Sequence, residues 1–125
     1  MHTRAVVGYW ICTVLIGLSF LSGGAAELLR APQVVEGMTH LGYPVYFVTI
    51  LGIWKVLGAG VVLLPGFALV KEWAYAGMIF DLTGATASHV ASGDDVRHIL
   101  TPLVLAVVVV ASWALRPEGR KLNRA

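Results

Sequence analysis

The sequence predicts an all-α membrane protein: a four-transmembrane-helix bundle with a short interfacial helix between the first and second spans. Three observations predict it. Apolar residues make up 58% of the 125 residues and charged residues only 13%, against about 25% charged in soluble domains. So few charges cannot cover a water-facing surface. The apolar residues gather into four runs of roughly 18–24 residues, enough for a helix to cross ~30 Å of hydrocarbon. A transmembrane strand needs only ~9–11 alternating residues, so helices are favoured despite the β-branched runs. The length suits a single domain over 1–125.

The first run covers about 6–29, flanked by Arg4 and Arg30. A competing reading is a signal peptide, with Arg4 as its basic start and Gly24-Ala25-Ala26 as a small-residue cleavage site. The run is longer than a usual signal core and carries small residues on a helical stripe, which suits packing in a bundle. Residues 31–43 form a connection. Pro32 suits a first helical turn, and Val34, Val35, Met38 and Leu41 recur at three or four, as in an interfacial amphipathic helix. Gly42 and Pro44 mark the turn into the second span, 44–64, whose single charge is Lys55. Tyr43, Tyr46 and Phe47 fall where an aromatic belt belongs. Pro65-Gly66 ends that span. Residues 67–71 are a short link, 72–91 the third span, 92–97 a polar turn and 98–115 the fourth span. The remaining residues read as a frayed polar tail.

Lysine and arginine counts orient the chain. Arg4, Lys71, Arg116, Arg120, Lys121 and Arg124 share one side, and Arg30 and Arg97 the other. Six against two puts both termini in the cytoplasm of a multi-pass cell-membrane protein. The net charge of +2 comes mostly from the tail. It reads as a flank near anionic lipid, not as a nucleic-acid site. The one cysteine, Cys12, excludes an internal disulfide or a Cys-x-x-Cys pair.

The third span is the one the others must accommodate, because Asp81 lies in its middle. An acid there costs roughly 2.5–3.5 kcal/mol on insertion scales. Lys55 is eleven residues inward from Pro44, and Asp81 eleven inward from Ser92. Both are then ~16 Å deep, so a buried ion pair between them is expected. Gly52, Gly58 and Ala59 flank Lys55, and Gly77, Gly84 and Ala85 flank Asp81. These small faces are expected to meet. Thr83 and Thr86 are expected to bond to their own backbone.

A second polar group is expected ~5 Å below the outer boundary, made of Glu27 and His89, with His40 and Ser88 beside them. Ser19 and Gly23 continue its stripe down the first span. Glu27, His40, Ser88 and His89 thus outline a narrow cleft that opens outward. The blander alternatives are a structural Lys55–Asp81 pair, Glu27 pairing with Arg30, and histidines that only bond at the interface. Glu27, His40 and His89 match no metal-ligand spacing, so no metal is assigned.

At His40-Leu-Gly-Tyr-Pro44, Leu51-Gly-Ile-Trp-Lys55-Val-Leu-Gly58 and Glu72-Trp-Ala-Tyr-Ala-Gly…Phe80-Asp81-Leu-Thr-Gly-Ala…Ser88-His89 the sequence resembles the DoxX-like family of small membrane proteins. The likeness runs over nearly the whole chain. It implies a four-helix transmembrane bundle that keeps the first span. The family takes its name from a subunit associated with thiosulfate:quinone oxidoreductase. Some relatives are linked to redox-stress membrane complexes, and more distant ones to membrane-protein assembly. The resemblance implies no catalytic residue set. Lys55, Asp81 and His89 match its recurrent pattern, which supports their pairing and no reaction.

The leading functional expectation is an accessory subunit of a membrane redox system, with a quinone in the outward cleft and a membrane oxidoreductase as partner. One alternative is an assembly or interaction factor that packs against another membrane protein, using the plain face of 104–110. Another is a proton-coupled transporter, which at four spans per chain needs a homo-oligomer. A self-contained enzyme is disfavoured, since no metal signature, nucleophile elbow, phosphate loop or cysteine pair is present.

Overall fold

The computed structural model describes residues 2–121, and among them it is all-helical. Five α-helices follow in order: α1 (His2–Leu28), α2 (Pro32–His40), α3 (Val45–Leu63), α4 (Ala68–Ala91) and α5 (Val96–Leu115), then a 3-10 turn at Glu118–Arg120. Three are long and apolar enough to cross a membrane: α1 from Thr3, α3 and α5. At 24 residues α4 has the length, but it also carries Lys71, Glu72, Asp81 and His89. The outward surface is apolar. Ile11, Leu18, Ile53, Leu57, Val104 and Val107 are all exposed, as hydrocarbon allows and water does not.

Three helices end in the same way. The N–H groups of Arg30 and Ala31 donate back to Glu27 and Ala26, those of Gly42 and Tyr43 to Thr39 and Met38, and those of Gly93 and Asp94 to Val90 and His89. This pair of hydrogen bonds closes a helix through one left-handed residue. That residue is glycine after α2 and α4, at φ 90° and 72°, but Arg30 after α1, at φ 51°.

Gly17 faces Leu63 and Gly24 faces Gly52, so α1 and α3 run antiparallel. A Cβ on Gly52 would sit 2.9 Å from the Gly24 carbonyl oxygen. The two backbones meet there because neither has a side chain. Helices α1, α3, α4 and α5 share a core of Ile16, Phe20, Ala59, Val62, Tyr75, Met78, Leu82, Ala106 and Val109. Within it, Ser112 Oγ bonds Thr13 Oγ1 at 2.6 Å and Tyr75 Oη at 2.8 Å. Helices α1 and α3, α4 and α5, and α1 and α5 pack closely, while α3 and α4 touch less than these.

Two expectations need correction at the end away from α2. Helix α4 begins at Ala68, so Lys71 lies inside it and not in a link. Its side chain is buried, and Nζ donates to the carbonyls of Leu64 and Gly66. The tail is also not frayed as far as Lys121. Pro117 starts a turn that sends Arg120 back under the bundle. Arg120 Nη1 donates to Val62 O at 2.9 Å and Tyr9 Oη at 3.1 Å, and Nη2 to Leu63 O at 3.3 Å. Two cations thus satisfy carbonyls at the C-terminus of α3, where the helix dipole is negative. Arg124, counted above for orientation, lies outside the described residues.

Candidate functional site

Where α3 and α4 part, a cavity of about 830 Å³ runs along both helices. The small-residue faces expected to meet therefore do not. Gly77 and Gly84 have nothing within 4 Å of a built Cβ, and Gly58 has only the Met78 methyl at 3.7 Å. The walls are mostly apolar, from Val61, Val70 and Trp73 at one end to Met38, Leu41 and Phe47 beneath α2. Glu27, Lys55, Asp81, Ser88 and His89 interrupt them.

Lys55 has two acidic neighbours. Its Nζ donates to Glu27 Oε2 at 3.1 Å, and Asp81 Oδ2 is 4.0 Å away. The nearer partner is thus Glu27, which depth counting had placed in a separate, higher group. Helix register and side-chain direction explain the difference. Lys55 stands beside Gly24, its Cβ 3.0 Å from a Cβ built on that glycine, and Glu27 lies three residues further along α1, so the two start only about 5 Å apart along the axis. Helical side chains lean toward their own N-terminus. Glu27 therefore leans down and Lys55 up, and they close the gap. Asp81 leans down as well, from the level where Lys55 starts, so it stays beyond hydrogen-bond distance. Arg30 does not pair with Glu27; its guanidinium donates to Thr49 Oγ1 at 3.1 and 3.2 Å. Glu27 Oε1 is buried with no hydrogen-bond partner among the described residues.

The other residues gather at the α2 end, where Tyr43, Ser88 and His89 line the cavity and His40 and Asp94 lie outside its lining. Tyr43 Oη and Ser88 Oγ share a hydrogen bond of 2.6 Å, and Tyr43 stacks on Phe47. Asp94 joins two histidines, with His40 Nε2 at 2.6 Å from Oδ1 and His89 Nδ1 at 2.6 Å from Oδ2. The left-handed Gly93 aims it there, since the Asp94 N–H closes back onto His89 O. These hydrogen bonds hold the Asp94 carboxyl below the usual carboxylate range. Asp95, the N-cap of α5, is held low likewise by His98. The rings of His89 and His98 lie 5.5 Å apart. Of the expected cleft residues, His40 and His89 thus come together through Asp94, Ser88 binds Tyr43, and Glu27 joins Lys55.

The family model of the DoxX-like family matches residues 11–112. This chain belongs to the DoxX-like family. No curated protein and no solved structure matches it. Membership and the apolar helices together make it a membrane protein. The match takes in the cavity residues of this DoxX-like protein and stops before the Arg116–Arg120 segment. Two of its site residues escaped sequence reasoning. Asp94 read only as part of the polar turn at 92–97, although Gly93 just before it signalled a chain reversal toward His89. Tyr43 read as a belt aromatic, and nothing in its spacing pointed to Ser88.

Proposed function

We propose that this DoxX-like protein is an accessory subunit of a membrane redox system and holds a quinone-class amphiphile between α3 and α4. In this reading α4 is a fourth span, both termini are cytoplasmic, and a membrane oxidoreductase is the partner. The observation that carries it is the cavity of about 830 Å³ between helices of an apolar bundle, within the roughly 300–1,000 Å³ of small-molecule sites. Its long apolar walls suit a tail, and Lys55 offers N–H donors to a head group. Trp54 and Trp73 line it, so a bound quinone should quench their fluorescence.

The test adds a decyl-tailed benzoquinone to the protein in nanodiscs. Expected are saturable tryptophan quenching and a rise in thermal midpoint, equivalent to about 2.7 kcal/mol at a hundredfold excess over Kd. Both should fade in Glu27→Gln/Lys55→Met/Asp81→Leu, which removes the three charges of the polar patch together. Saturable quenching of equal strength in that triple variant would sink the reading.

A further inference from the structure

The 4.0 Å between Lys55 Nζ and Asp81 Oδ2 is too long for a hydrogen bond and the right size for one shared atom. An oxygen ~2.8 Å from each fits that gap. Both groups line the cavity. Lys55 has given one N–H to Glu27, which leaves two. Asp81 makes no hydrogen bond among the described residues, and its side chain is one-fifth exposed, at 21%.

The chemistry of the bridging atom follows from its two neighbours. It must accept from an ammonium and donate to a carboxylate. A hydroxyl does both. A carbonyl oxygen only accepts, and against Asp81 it would set two acceptors face to face with no proton between them. We propose that the head group bridging Lys55 and Asp81 is a hydroxyl, so the cavity selects the reduced, hydroquinone form over the quinone. This rests on the quinone-class reading above and names the redox state within it. Glu27 has a distinct part, since it holds Lys55 from the α1 side and leaves Asp81 to accept the hydroxyl's hydrogen bond.

The experiment compares a decyl-tailed benzoquinone with its own hydroquinone, kept reduced under anaerobic conditions, by titration calorimetry in nanodiscs. The tail is common to both, so any difference comes from the head. The wild type should bind the hydroquinone at least about tenfold tighter. Asp81→Asn keeps the shape but supplies an N–H, so the preference should vanish or invert while the quinone still binds. Equal affinities in the wild type, or tighter quinone, would overturn the inference and leave the quinone-class reading standing. A preference that survives in Asp81→Asn would overturn it too. If neither form binds the wild type, the proposed function falls and takes this inference with it.

Discussion

Asp94 gathers more of the α2 end of the bundle than any other residue. It ties the end of α2 to the end of α4 through His40 and His89. An acid held below its ordinary value stabilises the fold at every pH above that value. The contribution disappears as pH falls through the lowered one. Thermal midpoints measured from about pH 6 to about pH 3 should therefore drop on the acid side in wild type. Asp94→Asn should remove that part of the drop and be less stable than wild type near neutrality. An unchanged acid limb in the variant would show that the two imidazole contacts do not link to folding. Asp94 also shows the limit of reading residues one by one. Its charge was plain in the sequence, but its target depends on a left-handed turn and on where α2 ends.

At the scale of elements, the α1–α3 contact decides which acid Lys55 meets. Gly52→Ala would drive a Cβ to 2.9 Å from Gly24 O and 3.0 Å from Leu28 N. Backbone cannot step aside as a side-chain end can, so a loss of about 1–3 kcal/mol is expected. Gly60→Ala on the same helix meets nothing within 4 Å and should be neutral. Unfolding in mixed detergent measures both. The same contact explains what sequence could and could not supply. Runs of apolar residues, Pro32, Pro44, and the Pro65-Gly66 and Gly93 turns located the helices to within a few residues. Depth counted from helix ends then treated the spans as level posts with side chains pointing straight out. That places Lys55 and Asp81 side by side and Glu27 above them. The register of α1 against α3 and the lean of side chains on antiparallel helices both alter the result, and no one-dimensional pattern carries them.

Across the whole molecule, the bundle is closed on three sides and open on one. Apolarity alone was enough to expect a membrane protein, because charges were too few for any other surface. The open side was not legible, since glycine and alanine stripes ordinarily signal contact and here they line a cavity. Closure at the far end depends on Arg120, which joins Tyr9 of α1 to the last carbonyls of α3. Arg120→Met should cost about 1–3 kcal/mol by leaving acceptors without donors. Arg120→Lys should recover part of it, and the reading is the thermal midpoint of each variant. Equal stability of all three would mean the tail only rests against the bundle.

That contact has a consequence for how the protein is made. Arg120 follows every helix that it joins, so no order of synthesis can place it early. Until it arrives, α3 ends in carbonyls that only Lys71 has begun to cover. The bundle is therefore assembled with one fastening missing, and the segment just after α5 supplies it last.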